Sequence, residues 1–227
     1  AENVAAEHDV SRAEQDAFAM TSQTRAAAAI RDGRFEDQIT PVSVKVKRDK
    51  VDFICDEHPK QTDEAALAGL RPVFQKDGSV TAGNASGIND GAAALVLAQA
   101  SAAQMAGLRP RARVLGYAHA GVRPAVMGIG PIPAVQNLLH KTGLTVEDFD
   151  VIESNEAFAA QALAVNKALG LDAARVNPNG GAIALGHPVG ATGAILVIKA
   201  LHELERTQSD RALITMCIGG GQGIALA

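Results

Sequence analysis

Two spacings of apolar residues alternate along this chain, one typical of helices and one typical of strands. Residues 11–31 start with a capping box formed by Ser11 and Glu14, and their apolar positions recur at helical spacing. Gly33 then stands where a helix often ends in a left-handed residue. Residues 39–46 alternate apolar and polar side chains, which predicts a strand with one polar face.

The rest of the chain continues this alternation. Residues 92–98 form an uninterrupted apolar run, which predicts a strand buried on both faces. Pro110 marks a boundary, after which the pattern restarts. The other predicted strands lie at residues 114–119, 151–154, 211–216 and 224–227, and the other predicted helices at residues 62–70, 101–106, 131–141, 157–169 and 192–205. Strands that alternate with helices predict the α/β class, with helices layered on a sheet.

Composition narrows the class of protein without indicating a function. The 227 residues suffice for one large domain or two smaller ones, and an apolar content carried by Ala, Val, Leu and Ile suits α/β packing. The net charge of −4 argues against a general nucleic-acid binder, which has a basic face. The sequence has no uncharged apolar run of about 18 residues, so neither a membrane span nor a signal peptide is expected.

The cysteines and the N-terminus bear on the setting of the protein. Cys55 and Cys217 are too few and too far apart for a disulfide framework, and no CxxC or HxxxH spacing indicates a metal site. A reduced, cytoplasmic setting is therefore expected. The chain starts at Ala1, and residues 1–8 resemble the continuation of a helix without a starting cap. We therefore expect the chain to be part of something longer.

The strongest candidates for chemistry are two reactive side chains framed by glycine. His187 lies in the stretch GHPVGATG, and Cys217 begins the stretch CIGGGQG at the end of an apolar strand. Glycine lets the backbone approach a substrate closely and lets successive N–H groups point the same way. A thiol beside such donors can act as proton donor, base or nucleophile. The alternative for Cys217 is a buried structural cysteine before a turn, and the glycine run favours the functional interpretation.

His187 lies in a loop that enters a long predicted helix. The N-terminus of a helix carries positive potential, which lowers the pKa of a nearby histidine. A neutral imidazole in this place can accept a proton from a thiol or donate one hydrogen bond to an oxyanion. The alternative is a turn histidine that is satisfied by the backbone.

Asn155 and Glu156 follow a predicted strand, at the end where sites form in α/β sheets. Asn155 can position a water, but it can also be the N-cap of the next helix. Glu156 can be a base, but a carboxylate in the first turn of a helix also has an electrostatic explanation. Three groups from strand ends or helix starts are thus expected to converge: Asn155, His187 and Cys217.

No convincing primary nucleophile is found in the chain. Cys55 stands among carboxylates that disfavour a thiolate, namely Asp52, Asp56 and Glu57. The other histidines lack glycine framing and are interpreted as surface or packing residues; they are His8, His58, His119, His140 and His202.

Taken together, these stretches resemble the thiolase family, the acetyl-CoA C-acyltransferases or beta-ketothiolases. The resemblance rests on NEAF from Asn155, on GGA from Gly180, on the histidine and cysteine stretches, and on TAGNASGINDG from Thr81, and it extends over residues 10–227. It implies a thiolase-like α-β-α fold and Claisen chemistry on acyl chains. The implied substrates are acyl-CoA and CoA, with no separate cofactor and no metal.

The resemblance also implies roles for individual residues. His187 is similar to the histidine that activates a nucleophilic cysteine and then lines an oxyanion hole, and Cys217 to the cysteine that removes the α-proton of acetyl-CoA. Asn155 resembles the residue that holds a water in that hole, and Gly219 resembles the N–H donor of a second hole. The implied substrate contacts are Ala82 and Ser86 with the pantetheine arm, and Met127 and Phe158 with the thiol end.

The sequence departs from the family in one large respect, because no cysteine matches the family's nucleophile. The resemblance implies that residues 1–87 are the C-terminal part of a loop domain, residues 88–109 the last strand and helix of an N-terminal half, and residues 110–227 a C-terminal half. The apolar run at 92–98 would then lack its sheet neighbours. We therefore expect the missing half as a second chain or as a part lost by nicking, and this chain alone to be inactive.

Other interpretations give different expectations. A non-catalytic acyl-CoA-binding fragment is the main alternative, and a related decarboxylating condensing enzyme is a second one, against which Cys217 argues. A dinucleotide site at residues 219–223 requires a helix after the glycines, where a strand is predicted. The family resemblance further implies a homodimer or homotetramer, and Lys60 is a candidate for a basic residue near the coenzyme nucleotide.

Overall fold

The computed structural model describes residues 1–227, and its N-terminal part begins with two helices. Helix α1 spans Glu2–Glu7 and helix α2 spans Arg12–Arg31. The predicted capping box is confirmed, because the Glu14 N–H donates to the Ser11 hydroxyl oxygen and the Ser11 N–H donates to the Glu14 carboxylate. Helix α2 therefore begins where its sequence predicts.

A small hairpin follows, of which the sequence indicated only the first strand. Strand β1 spans Val42–Val46 and pairs antiparallel with strand β2, Asp49–Phe53. Lys47 adopts a left-handed conformation at the turn (φ 58°). All but one of the residues in these two strands are exposed. Neither face of the hairpin is buried, so its sequence need not show the alternation of apolar and polar residues from which strands are predicted.

The remaining elements reproduce most of the predicted alternation. They are α3 (Glu64–Ala68), α4 (Ala100–Met105), β3 (Tyr117–Gly121), α5 (Pro131–Thr142), β4 (Val151–Ser154), α6 (Ala159–Leu169), α7 (Ala182–Leu185), α8 (Thr192–Thr207), β5 (Ala212–Ile218) and β6 (Gln222–Leu226). Short 3-10 helices occupy Glu36–Gln38, Pro124–Ile129 and Val146–Asp148. None of the helices combines the length and apolar character that a membrane span requires.

Four strands form one mixed sheet in the order β3-β6-β5-β4. Strands β4 and β5 are parallel, with Ser154 opposite Thr215, whereas β6 is antiparallel to both of its neighbours. The turn between β5 and β6 contains Gly220 and Gly221, both at positive φ. A side chain at Gly221 would collide with the Val122 carbonyl, so the glycine run is required for the close packing of this turn.

Helices cover the sheet on both faces. Leu138 of α5 packs with Phe149, Ile152 and Leu213 in the main buried cluster, on one face. Alternate residues of β5 point to the other face, where Met216 lies beside Gly193 of α8. The predicted layered α/β fold is confirmed.

The prediction of a buried strand at residues 92–98 is wrong. These residues form neither helix nor strand, and Val96 and Leu97 are 93% and 81% exposed. A strand buried on both faces needs neighbours to pair with its backbone, and no strand of this chain lies beside it. Several boundaries also moved: β1 begins at Val42, β3 at Tyr117, α6 at Ala159 and β6 at Gln222.

A buried ion pair connects α8 to the end of β4. The Lys199 ammonium lies 2.7 Å from the Glu153 carboxylate, and the two side chains are 6% and 0% exposed. The same ammonium donates to the Gly180 carbonyl at 2.7 Å. Burial raises the pKa of Glu153, and the Lys199 charge opposes that rise. The Lys199 ammonium thus binds both the end of β4, through Glu153, and the loop that leads to His187, through the Gly180 carbonyl.

Replacing Lys199 with methionine is expected to lower the free energy of unfolding by about 3–5 kcal/mol, since it leaves the Glu153 carboxylate buried without its counter-charge. The matched control is Arg111→Met, because the Arg111–Glu205 pair is exposed on both sides (46% and 52%). The control should cost about 0–1 kcal/mol. Urea denaturation of the three proteins measures the difference, and equal losses for the two variants would contradict the assignment.

Candidate active site

The side chains of Asn155 and His187 are in contact. The Asn155 amide nitrogen lies 3.3 Å from His187 Nε2. Asn155 stands just past the end of β4, where its N–H donates to the Thr215 carbonyl of β5 at 3.0 Å. The His187 N–H lies 3.1 Å from the Gly87 carbonyl, so the histidine loop is bound to the last residue of the TAGNASG stretch. Two of the three groups that were expected to converge therefore do so directly.

Thr192 determines which ring nitrogen of His187 carries the proton. Thr192 Oγ1 lies 2.6 Å from His187 Nδ1 and donates its own proton to the Pro188 carbonyl at 2.8 Å. A hydroxyl has one proton, so Oγ1 accepts from Nδ1–H. The Nε2 lone pair is then free to accept, and the donor facing it is the Asn155 amide.

His187 is neutral at pH 7, because burial lowers its pKa. The direction agrees with the prediction from sequence, but the cause differs. The prediction relied on the N-terminus of the following helix, whereas the effect comes from the loss of water around a half-buried ring. A neutral ring with its lone pair on Nε2 is a proton acceptor.

Asn155 does not cap a helix, so its alternative structural role is excluded. Helix α6 begins at Ala159 with Phe158 as its N-cap residue, three positions further on. The Asn155 Oδ1 atom is buried and receives no hydrogen bond from the chain. A buried acceptor without a donor costs about 1–3 kcal/mol, so the atom is suited to accept from a water or a ligand.

Cys217 lies on β5, the strand that pairs with β4 and accepts the Asn155 N–H. Thr215 accepts the Asn155 N–H, and Cys217 is two residues later in β5, roughly 7 Å along the strand. The side chain is 6% exposed. Burial raises the pKa of the Cys217 thiol from an ordinary 9.0 to about 11. At pH 7 only ~1 in 10⁴ molecules therefore carries a thiolate there, and that thiolate is a strong base.

Iodoacetamide is expected to alkylate Cys55 first and Cys217 slowly. Cys55 is exposed and Cys217 is buried. A pKa two units above the ordinary value lowers the thiolate fraction of Cys217 by about 100-fold at pH 8. Peptide mass spectrometry of wild type and Cys55→Ser, from pH 7 to pH 11, follows each site. The Cys217 rate should rise throughout this range, and a plateau below pH 8 would contradict the raised pKa.

Glu156 is a structural carboxylate. It is buried, and it accepts hydrogen bonds from the Ser22 hydroxyl (2.6 Å), the Asn177 amide (2.8 Å) and the Ile183 N–H (3.3 Å). Burial raises its pKa, and these hydrogen bonds oppose the rise. It precedes the first turn of α6, so the helix does not explain its charge. Its three donors tie α2 and the loop before His187 to the end of β4.

The other predicted site residues lie in segments around this pair. Ser86 donates both its N–H and its hydroxyl to the Ala157 carbonyl at 3.1 Å, and Ala82 is exposed just upstream. Phe158 is partly buried and makes an edge contact with Phe74, with ring centroids 6.0 Å apart. Met127 lies in the 3-10 helix Pro124–Ile129, and Gly219 is exposed in the turn after β5. Their roles stay predictions.

Sequence reasoning missed four residues that support the site. Thr192 and Asn89 stood inside stretches singled out as motifs, so only their partners were unknown. His58 was interpreted as surface or packing, yet it bridges two loops next to His187. Lys199 interrupts an apolar helix, which is the signal that would have found it. The chain contains no cluster of three or more His, Cys, Asp or Glu side chains arranged to hold a metal ion.

Family models match nearly the whole chain. The model described as "Thiolase, C-terminal domain" matches residues 108–227, and the one described as "Thiolase, N-terminal domain" matches residues 1–101. The chain therefore belongs to the thiolase family. The finer division at residues 87 and 109 stays a prediction.

Known relatives agree with this assignment. The beta-ketothiolase BktB of Cupriavidus necator is 59% identical over 99% of this chain, and an acetyl-CoA acetyltransferase of Escherichia coli is 56% identical over all of it. Among solved structures, the Bacillus anthracis acetyl-CoA acetyltransferase superposes with a TM-score of 0.97 at 50% identity over 99% of the chain. Human mitochondrial 3-ketoacyl-CoA thiolase in complex with CoA gives a TM-score of 0.92 at 46% identity, over 99% of the chain.

The chain is shorter than the proteins it resembles. It spans 58% of the length of both curated relatives, 57% of the Bacillus anthracis structure and 56% of the human one.

Proposed function

We propose that this chain supplies the proton-transfer and oxyanion-binding part of a thiolase acyltransferase. The reaction is the reversible Claisen condensation of two acyl-CoA molecules, or the thiolytic cleavage of a 3-ketoacyl-CoA. The observation that carries the proposal is the contact between Asn155 and His187, with Nδ1–H held by Thr192 and Cys217 on the adjacent strand. The family assignment supplies the class of reaction.

His187 first acts as a base. Its Nε2 lone pair exchanges the Asn155 amide for the nucleophilic thiol and takes the thiol proton, and the thiolate then attacks the acyl group, expels CoA and forms a thioester. The resulting imidazolium keeps Nδ1–H on Thr192 and presents a new Nε2–H donor. That donor, with a water held by Asn155, faces the oxygen on which charge develops. Fixed donors of this kind stabilise an oxyanion without reorganisation.

Cys217 moves the second proton. In condensation its thiolate takes the α-proton of acetyl-CoA, and the enolate carbon then attacks the acyl thioester and expels the nucleophilic thiol. The high pKa of Cys217 suits the task, because the α-proton of a thioester is weakly acidic and needs a strong base. The Gly219 N–H is proposed as a donor to the second oxyanion, at the exposed turn that follows Cys217.

Substrate binding is assigned to the segments that flank this pair. Ser86 and Ala82 are proposed to contact the pantetheine arm, and Met127 and Phe158 to form apolar walls at the thiol end. Acyl-CoA and CoA are the proposed substrates, with no separate cofactor. The relative solved in complex with CoA supports this choice of ligand.

The nucleophilic cysteine is proposed to come from a partner segment. Cys55 is exposed and Cys217 is buried, and neither stands beside His187 as a thiol in hydrogen-bond contact. The exposed apolar run around Val96 and Leu97 is suited to pairing with such a segment. A cytoplasmic homodimer or homotetramer of the completed unit is the proposed assembly.

Acetoacetyl-CoA thiolysis tests the proposal. The chain is assayed alone and after co-expression with an N-terminal thiolase segment from the Cupriavidus necator relative. Cleavage to acetyl-CoA is expected only for the complex, and catalysis by neither preparation, despite complex formation, would overturn the proposal.

A non-catalytic acyl-CoA-binding fragment is the second candidate. It is favoured by the surroundings of His187 Nε2, which contacts the Asn155 amide and no thiol of this chain. Calorimetry with CoA on the chain alone distinguishes the two. Binding without any activity of the complex supports the fragment, whereas thiolysis by the complex excludes it.

A further inference from the structure

A second histidine is connected to His187 through one asparagine. His58 Nε2 lies 3.2 Å from the Ile183 carbonyl, and His58 Nδ1 lies 3.3 Å from the Asn89 amide nitrogen. The other end of that amide, Asn89 Oδ1, lies 3.1 Å from the His187 N–H, which it accepts together with the Gly87 carbonyl. Three loops that are distant in the sequence thus meet at one amide group.

The direction of each hydrogen bond follows from its partner. A carbonyl oxygen only accepts, so His58 Nε2 carries the proton that is donated to Ile183. In the neutral ring Nδ1 is then an acceptor, and it accepts from the Asn89 amide N–H. Asn89 is thereby oriented with Oδ1 toward His187. If the amide were rotated, its NH₂ group would face the His187 N–H, and both contacts would be lost.

Two glycines make room for this arrangement. A side chain at Gly87 would collide with the His58 ring and with Asn89 Oδ1, and one at Gly186 would collide with Asn89 Oδ1. Gly186 is also at positive φ (94°). The Asn89 side chain therefore fills the space between Gly87 and Gly186, and this close packing limits its rotation.

We infer that Asn89 and His58 are positioning residues for His187, with His58 acting only by orienting the Asn89 amide. The inference rests on the proposed function, because it assigns how the catalytic imidazole is held in place. Thr192 fixes the ring of His187, and the Asn89 amide fixes its backbone together with the Gly87 carbonyl, so Thr192 and Asn89 act on different parts of one residue. A displacement of about 1 Å at a reacting group can cost about 100-fold in rate.

Two variants of His58 separate positioning from mere packing. His58→Asn places a side-chain oxygen near the position of Nδ1, so the acceptor for Asn89 is kept. His58→Gln places an amide near the position of Nε2, so the donor to Ile183 is kept and the acceptor for Asn89 is lost. Both changes remove the imidazole, and only the second releases the Asn89 amide.

The first measurement is thiolysis by the complex with the N-terminal segment. His58→Gln is expected to lower kcat by about 10- to 100-fold with KM within about twofold, and His58→Asn to stay within about threefold of wild type. Equal kcat values for the two variants would overturn the inference. Absence of activity in the wild-type complex would instead contradict the proposed function.

The second measurement does not depend on activity. Amide hydrogen exchange at His187, followed by NMR on the chain itself, is expected to be about two- to fivefold faster in His58→Gln, because one of the two acceptors of this N–H is released while the Gly87 carbonyl still accepts. His58→Asn should exchange at the wild-type rate. Unchanged exchange in His58→Gln would overturn the inference even if the enzyme were inactive.

Discussion

Replacing His187 with alanine is expected to slow thiolysis by the complex with the N-terminal segment by about 10²- to 10⁴-fold, the range for loss of a positioned acid–base group. His187 is the only side chain that offers its neutral lone pair beside Asn155. Without it the nucleophilic thiol keeps its proton, so the acyl-enzyme does not accumulate. Stopped-flow absorbance at the 3-ketoacyl-CoA band measures turnover, and mass spectrometry of the complex measures the acyl adduct.

His140→Ala is the control for this change. His140 is an exposed histidine in the last turn of α5 and contributes no group to the candidate site. The His140→Ala change should leave turnover within about twofold of wild type, as is usual for surface substitutions. If the complex of the His187→Ala variant kept more than about a tenth of wild-type turnover, the role of His187 as the base would be contradicted.

Replacing Cys217 with serine is expected to separate the two halves of the reaction. A serine hydroxyl is too weakly acidic to form the base, so condensation and the exchange of the acetyl-CoA α-protons with solvent should both fall by about 10²- to 10⁴-fold. Acyl transfer to the nucleophilic cysteine needs only His187 and should persist. Deuterium incorporation into acetyl-CoA and the mass of the acyl-enzyme report the two halves separately.

Cys55→Ser is the control, because this thiol is exposed. It should exchange α-protons at the wild-type rate. A full condensation rate in the complex of the Cys217→Ser variant would show that another group carries the proton, and it would favour decarboxylating chemistry for this site instead.

The C-terminal part of the fold is predicted well by the sequence because its elements are self-contained. Helix α5 has proline at its start and Gly143 at φ 71° after its end, so local chemistry determines both limits. Strand β4 is buried at all four positions although it contains Glu153 and Ser154, because β5 pairs with it. The run at residues 92–98 is entirely apolar, yet it is exposed. Composition reports what a segment can bury, but it does not report whether a partner is present.

The sequence predicts only part of the candidate site. The residues that it misses are those whose roles depend on tertiary contacts. Glycine framing singled out His187 and Cys217, and position after a strand singled out Asn155. The same position also suggested a base at Glu156, which proves to be bound by Ser22 of α2, 134 residues away. His58 lacks glycine framing, so the sequence predicts only a surface or packing role for it. Its importance arises from Asn89 and Ile183, which only folding brings to it.

The central claim is that His187 and Cys217 act on one thioester. A crystal structure of the complex with the N-terminal segment and bound acetyl-CoA tests this most directly. We expect the thioester oxygen within about 3 Å of His187 Nε2 or of a water on Asn155, with Cys217 Sγ facing the α-carbon, as proton transfer requires. A thioester bound with His187 and Cys217 facing different cavities would contradict the account.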